Sequence, residues 1–329
     1  MSHVVTVDPV GKTFDVHSGD SILEASLKAG VVLKHSCRDG QCGECRTELK
    51  SGQVTYPEGI ELVESDHAGV TVLTCQARPV SDLVLHSPEV TSFEGVTVQK
   101  MAARVMGKEQ LADDVVKLTC KLAPGTVFNY VPGQYVDLTI KNVVTRSYSM
   151  ATAEAVDGSI ELHIRLVPGG QATPMIFEDV QLKNVVTVEG PFGTFYLRDS
   201  DAPAIFLASG TGFAPIKALM EQLIASGSQR QVHLFWGGRR AQDLYMDHLC
   251  RQWQAELDWF EYTPVLSDDI AGWDGRTGFV HAAVIEDYSD LSAHQVYACG
   301  APVVVDSARR DFTAQCGLQE NNFFADAFV

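Results

Sequence analysis

The sequence predicts a multidomain protein of mixed class, in which an α+β unit and a small antiparallel barrel precede a parallel α/β sheet. Three observations carry this. At 329 residues the chain holds two or three domains of ordinary size. Its hydrophobic rhythm changes twice, from mixed strand and helix to short alternating strands, then to apolar strands separated by helical stretches. Its charge is uneven: net −6 over residues 1–93, −2 over 94–199 and −9 over 200–329, within a total of −17. A near-neutral middle between acidic ends fits three units, expected at 1–92, 96–199 and 200–329.

The elements follow in order. His3-Val4-Val5-Thr6-Val7 alternates as a strand does, and Thr13-Phe14-Asp15-Val16 repeats the pattern. Residues 20–27 put Ile22, Leu23 and Leu27 on one helical face, with Gly30 placed to end it. A loop rich in Cys and Gly fills 36–45, and strands resume at 47–49, 71–74 and 83–85. The polar stretch 87–95, with Pro88 and Gly95, reads as a linker. Beyond it, short strands at 115–119, 135–138 and 160–164 with turn signals between them predict the antiparallel barrel. From Ala204 onward, apolar strands at 204–207, 232–235 and 296–298 alternate with helical segments, the pattern of a parallel sheet with crossover helices.

Composition excludes several classes. Hydrophobic residues make up 45% and charged residues 20%, enough apolar surface for a packed core. Lys and Arg total 25 against 42 for Asp and Glu, the wrong balance for tracking phosphates, so no nucleic-acid partner is expected. No run approaches the roughly 18 apolar residues of a membrane span, and the first residues lack the basic-then-apolar layout of an export signal. A soluble, cytoplasmic protein is the expectation.

Four of the eight cysteines have informative spacing: Cys37, Cys42 and Cys45 form C-x4-C-x2-C, and Cys75 follows after 29 intervening residues. This matches plant-type [2Fe–2S] ligation. Four thiolates must converge on two irons, so a short loop has to wrap tightly, and Gly40 and Gly43 allow that approach. The rivals are a structural zinc site, which more often comes as two close pairs, and disulfides, which need export. Cys120, Cys250 and Cys316 lack ligand spacing and read as small buried or semi-exposed thiols.

In the middle unit, Pro132-Gly133-Gln134-Tyr135 precedes Arg146-Ser147-Tyr148-Ser149. This R-x-Y-S after P-G-Q-Y resembles the flavin signature of the ferredoxin–NADP reductase superfamily. The resemblance implies that Arg146 pairs with the FAD pyrophosphate, Tyr148 stacks on the isoalloxazine and Ser149 offers a hydroxyl near flavin N5. It implies further that His163-Ile164-Arg165 and the segment from Gly170 to Thr173 wrap the FAD phosphates, Thr173 standing where many relatives have Ser.

In the last unit, Ser209-Gly210-Thr211-Gly212 follows a strand and opens a helix, a turn that suits a nucleotide phosphate. The family form begins with Gly where this chain has Ser209. By the same resemblance, Cys299 lies beside the nicotinamide C4 and Gly300 leaves room for the ring, both following the last strand of the sheet. Ser267, Asp268 and Asp269 sit where NADPH-selective relatives carry basic residues, so the carboxylates argue for NADH, while Arg239 and Arg240 argue the other way. Asp326 and Phe328 match the family's acidic-then-aromatic ending near the flavin; a hydrophobic tail docked on the last helix is the plainer alternative.

The match spans nearly the whole chain. It resembles the three-domain iron–sulfur flavoprotein reductases, which implies a β-grasp [2Fe–2S] ferredoxin domain, an antiparallel FAD barrel and a Rossmann-like NAD domain. Two subgroups fit: the CDP-6-deoxy-Δ3,4-glucoseen reductases of dideoxysugar synthesis, and the reductases of bacterial aromatic-ring oxygenases. The implied activity carries electrons from NADH through FAD and the cluster, singly, to a partner protein. That partner is an oxygenase component or a pyridoxamine-phosphate-dependent dehydratase. The competing readings are direct reduction of a small acceptor such as a quinone or ferric complex, and a redox sensor that needs no full hydride path.

Overall fold

In the computed structural model, residues 2–328 are described apart from Ser92, Glu94, Val156 and Asp269; the linker stretch and the Asp268–Asp269 pair therefore fall partly outside the described residues. The chain divides into two compact units, one reaching to Val98 and one running from Gln99 to Phe328.

The first unit contains β1 (Ser2–Asp8), β2 (Lys12–His17), α1 (Ile22–Lys28), β3 (Arg46–Ser51), β4 (Val54–Thr55), α2 (Glu64–His67), β5 (Thr71–Leu73), β6 (Arg78–Pro79) and β7 (Leu83–His86). Five strands form a mixed sheet in the order β2-β1-β7-β3-β5. Val5, Val7, Phe14 and Val16 alternate inward and bury against Ile22, Leu23 and Leu33. Helix α1 starts in a capping box: Glu24 N–H donates to the Ser21 hydroxyl at 3.2 Å, and Ser21 N–H to the Glu24 carboxylate at 2.8 Å. The Cys-rich loop hangs between α1 and β3, with its fourth cysteine just past β5.

The second unit opens with β8 (Gln99–Ala112), β9 (Val115–Leu122), β10 (Tyr135–Ile140), β11 (Val144–Ser149), β12 (Ser159–Arg165), α3 (Ala172–Glu178) and β13 (Val185–Phe192). These strands are antiparallel in the order β11-β10-β13-β8-β9-β12, and a bridge between Met150 and Leu162 joins the two ends into a barrel. Its interior is filled by inward residues such as Leu118, Leu138, Leu162 and Ile164.

The chain continues through β14 (Ala204–Ser209), a 3-10 turn (Gly210–Gly212), α4 (Phe213–Ala225), β15 (Val232–Gly238), α5 (Asp247–Glu256), β16 (Phe260–Leu266), β17 (Arg276–Thr277), α6 (Val280–Asp287), β18 (Gln295–Gly300), α7 (Pro302–Gln315) and β19 (Phe323–Ala327). All six strands pair in parallel, in the order β17-β16-β15-β14-β18-β19. One expectation is corrected here. The strand ending in Cys299 and Gly300 is not the last, because the tail forms β19 beside it, every residue buried. The tail does not simply dock on α7. Phe323 packs toward Phe312 of that helix, while Phe324 lies 4.9 Å from Tyr297, so both faces of the strand are covered.

Candidate functional site

The four cysteines of the first unit come together as two pairs. Cys45 and Cys75 sulfurs lie 3.2 Å apart, both buried. The Cys42 thiol donates to Cys37, which holds Cys37 down to about 7 and pushes Cys42 up. The Cys42 N–H also points at the Cys37 sulfur, at 3.4 Å. Gly40 and Gly43 both take positive φ, 93° and 73°, which folds the loop back on itself. All eight cysteines are free thiols. Among the described residues, no three His, Cys, Asp or Glu side chains are grouped as they would be around one ion. Two pairs of sulfurs suit a two-iron cluster with two protein ligands per iron better than a single tetrahedral zinc.

Behind this loop, the fully buried Asp66 carboxylate accepts from Arg46 Nε at 3.1 Å and Arg46 Nη2 at 3.1 Å, and from the Val63 amide at 3.2 Å. Thr71 donates to it as well. Arg46 immediately follows Cys45, so the ion pair fixes the end of the cysteine loop on α2. No motif in the sequence marked this pair.

In the second unit, β10 and β11 form a hairpin that sets Ser149 opposite Tyr135 and Arg146 opposite Leu138. Gln134 braces the hairpin: its carbonyl accepts from Met150 N–H at 3.0 Å and its amide donates to Gly193 at 3.1 Å. Arg146 is exposed, makes no ion pair among the described residues, and donates to the Thr145 carbonyl at 2.7 Å. Ser147 donates to Asp137 at 2.7 Å. Burial raises the Tyr148 phenol to about 12, and its hydroxyl is buried without a hydrogen-bond partner. A buried orphan hydroxyl beside an exposed guanidinium that lacks a carboxylate partner among the described residues is a fitting pair for an anionic, ring-bearing ligand such as FAD. Ser149 donates to the Asp326 carboxylate at 3.2 Å, bringing β19 against the barrel.

The segments expected to wrap the FAD phosphates are placed differently from one another. Ile164 points into the barrel core. His163 is buried between the Tyr245 hydroxyl at 3.1 Å and Glu161 at 2.9 Å, and burial lowers its pKa. Arg165 reaches Asp114 at 3.4 Å and Asp243 at 3.3 Å. The Thr173 hydroxyl accepts from Val167 N–H at 2.9 Å, while Gly170 closes the turn from Val167. The side chains of His163, Ile164 and Thr173 are thus taken up by contacts within the protein.

The parallel sheet carries a cavity of about 570 Å³ at the carboxyl ends of its strands, the place where open α/β sheets bind nucleotides. Of the expected residues, Arg165, Gly210 and Ser267 line it, and Arg239 joins them. Trp236 donates to the Gly210 carbonyl at 3.0 Å and stacks on Phe213 with ring centres 4.0 Å apart, which fixes the turn ahead of α4. Thr211 lies half-buried in that turn. The wall opposite carries Phe279, exposed to 69% and stacked over His281. No motif in the sequence marks Phe279, an aromatic just ahead of α6.

Gly212 and Gly300 have a packing reason of their own. A Cβ on Gly212 would fall 2.1 Å from the Cys299 carbonyl, and one on Gly300 would fall 2.5 Å from the Ser209 carbonyl. The turn after β14 and the end of β18 therefore approach backbone to backbone, and glycine is required on both sides for that packing. Cys299 is wholly buried, its thiol pushed well up by burial and by Asp326, the residue beside it on β19. Phe328 donates its N–H to the Gly300 carbonyl at 2.8 Å. Asp268 is exposed and accepts from the Ser267 hydroxyl at 2.9 Å.

A paired-cysteine loop, a barrel with an open anionic-ligand strand, and a parallel sheet with a nucleotide cavity together define an iron–sulfur flavoprotein oxidoreductase. Comparison with known proteins agrees. Three family profiles match in this order: a 2Fe-2S iron-sulfur cluster binding domain over 5–80, an oxidoreductase FAD-binding domain over 102–196 and an oxidoreductase NAD-binding domain over 206–310. The chain is 40% identical, over all of its length and 99% of the relative, to the CDP-6-deoxy-L-threo-D-glycero-4-hexulose-3-dehydrase reductase of Yersinia pestis. It is 31% identical, over its whole length and 98% of the relative, to the reductase component 2 of terephthalate 1,2-dioxygenase from a Comamonas species. The crystal structure of the Amycolatopsis cytochrome P450 reductase GcoB superposes with a TM-score of 0.83 at 30% identity, covering 99% of this chain and 98% of that one. The chain belongs to the three-domain [2Fe–2S], FAD and NAD reductases of the ferredoxin–NADP reductase superfamily. As such it takes electrons from a reduced nicotinamide dinucleotide and delivers them to an electron-accepting protein. No helix among the described residues is long and apolar enough to cross a membrane.

Proposed function

We propose that this chain is the NADH-dependent reductase of a deoxysugar dehydratase, which receives its electrons one at a time. The observation that carries the partner is the 40% identity across essentially the whole of both chains with a reductase named for a CDP-6-deoxyhexulose dehydrase. The second reading, an oxygenase as acceptor, draws on the likeness to GcoB and on the 31% identity to the dioxygenase reductase.

Within this reading, residues 1–92 carry the cluster on Cys37, Cys42, Cys45 and Cys75, residues 96–199 the FAD, and residues 200–329 the nucleotide. When bound, the flavin divides the two electrons of a hydride and the cluster relays them singly. Arg146 holds the FAD pyrophosphate, Tyr148 covers the ring and its buried hydroxyl meets the ligand. Ser149 and Cys299 flank the reacting atoms, with Asp326 orienting the Ser149 hydroxyl through the 3.2 Å hydrogen bond. The backbone of 163–165 and the turn from Gly170 to Thr173 line the flavin's phosphate side. Gly210, Thr211 and Gly212 shape the turn that faces the dinucleotide, Gly300 and Phe328 close it from the far side, and Asp268 disfavours a 2'-phosphate next to Ser267.

The test is anaerobic reduction followed by capture. NADH bleaches the flavin and cluster absorbance, and the reduced protein then retains a pyridoxamine-phosphate dehydratase from the source cells. Capture of an oxygenase component instead moves the protein to the second reading. Failure of NADH to bleach the flavin overturns the electron path itself.

A further inference from the structure

Strand β12 has two faces with opposite chemistry. Ile160, Leu162 and Ile164 fill the barrel core, whereas Glu161, His163 and Arg165 alternate with them on the other face. An outward strand face is ordinarily solvated. Here each of the three polar residues grips a different part of the nucleotide-binding sheet's framework.

Glu161 meets Lys217 of α4 at 3.2 Å. His163 meets the Tyr245 hydroxyl, and Arg165 meets Asp243. Lys217 is only 7% exposed, and its ammonium also donates to the Ala151 carbonyl at 2.9 Å and to Glu221 at 2.6 Å. Glu221 in turn accepts from Ala153 N–H at 3.0 Å. Ala151 lies two residues beyond Ser149, so one buried ammonium ties the exit of the flavin strand to β12 and to α4. On the other side, Asp243 is 1% exposed and accepts from the Arg239 N–H at 2.8 Å and the Arg240 N–H at 3.2 Å, besides Arg165. Those two amides belong to the loop that lines the nucleotide cavity. A displacement of β12 is thereby shared with the Ser149 strand on one side and the cavity wall on the other.

We propose that Glu161, His163 and Lys217, with Tyr245, form a positioning network that sets the approach of the nicotinamide to the flavin. None of these four side chains lines the nucleotide cavity; they act through Ala151 and the 239–245 loop. Desolvation offsets much of the attraction in a buried ion pair, whereas its geometry fixes the two elements that carry it. The inference rests on the flavin and nucleotide sites proposed above.

The experiment compares the full-length, cofactor-loaded wild type with Lys217→Met, Lys217→Arg and Tyr245→Phe. Four quantities are read: flavin content, NAD affinity, the rate of flavin reduction at saturating NADH, and the long-wavelength charge-transfer absorbance of the nucleotide–flavin pair. Lys217→Met is expected to keep its flavin and to bind NAD within about threefold of wild type, while flavin reduction slows about 10- to 100-fold and the charge-transfer absorbance weakens. Lys217→Arg restores most of both. Should Lys217→Met fail to fold, Tyr245→Phe carries the test, with an expected slowing of about 3- to 10-fold at unchanged affinity. Wild-type reduction rates and charge-transfer absorbance in the folded variants, or a slowing accounted for by lost flavin alone, overturn the positioning role. A wild type that binds no flavin, or is not reduced by NADH, refutes the underlying site assignment instead.

Discussion

Ser149 on the barrel and Asp326 on the last strand of the parallel sheet share a hydrogen bond of 3.2 Å across 177 residues of chain, and both are buried. Asp326 also lies directly beside Cys299 in the strand register. The line Ser149, Asp326, Cys299 is where the two halves of the second unit meet in chemistry, and it gives the first prediction. Ser149→Ala should slow flavin reduction by NADH about 10- to 100-fold in single-turnover experiments while sparing NAD affinity. Asp326→Asn, which keeps an acceptor but loses the charge, should cost less. Equal rates in all three proteins would remove Ser149 from the reacting centre.

Changing any one of the four paired cysteines should separate the two redox functions. Cys75→Ala is expected to lose the iron–sulfur absorbance and the bound iron, while NADH still bleaches the flavin. Iron analysis and visible spectra read both at once, and recovery of zinc in place of iron in the wild type would refute the cluster assignment.

Acid should weaken the second unit in two stages. Burial lowers the pKa of His163 from its ordinary 6.5. Burial opposes the charge on Glu161, but the hydrogen bond from His163 and the Lys217 ammonium outweigh it and hold the carboxyl near 2, below its ordinary 4.5. Both values are depressed in the folded state, so the unfolded chain binds more protons and falling pH favours unfolding. Stability contributed by neutral His163 is lost as pH drops below 6.5, and that of Glu161 from 4.5 downward. The Glu161 part amounts to no more than about 3 kcal/mol. Thermal unfolding followed from pH 7.5 to 3.5 should show a Tm that declines throughout, and Glu161→Gln should flatten its lower part.

Nucleotide choice is testable at one exposed carboxylate. Asp268→Asn should raise kcat/KM for NADPH about tenfold, about 1.4 kcal/mol, with little change for NADH. An unchanged ratio would shift the discrimination to Arg239, which lines the cavity.

Gly300→Ala should be severe. Its φ of 133° is unfavourable to alanine, and the added methyl would meet the Ser209 carbonyl at 2.5 Å. The backbone strain alone is worth about 1–3 kcal/mol. The expected result is a lowered Tm together with lost NAD affinity, since the turn at Gly210 must move; a variant with unchanged Tm would contradict the close packing of these two turns.

What the sequence made legible was local. The Cys37-to-Cys75 spacing, the alternation of β1 and β2, and the β14–turn–α4 pattern all lie in short windows, where side-chain type and period report directly on structure. Strand β8 was not legible: its register shifts between Val105 and Gly107 and between Gln110 and Ala112 break the two-residue period. Strand β19 was obscured because both of its faces are buried, so it reads as an apolar tail. The polar contacts of Glu161, Lys217 and Asp243 were equally hidden, since each joins residues dozens of positions apart. Phe279 gave no signal because its value lies in the cavity it borders.

The two-faced character of β12 bears on how such proteins can be taken apart and recombined. A chimera that borrows a foreign nucleotide lobe at residue 199 inherits Glu161, His163 and Arg165 without Lys217, Tyr245 and Asp243, leaving a carboxylate, an imidazole and a guanidinium without these partners in a new interface. A graft made between Val98 and Gln99 cuts none of these pairs. Exchange of the iron–sulfur module between reductases is therefore the easier trade, whereas the barrel and the parallel sheet must be inherited, or redesigned, as one piece.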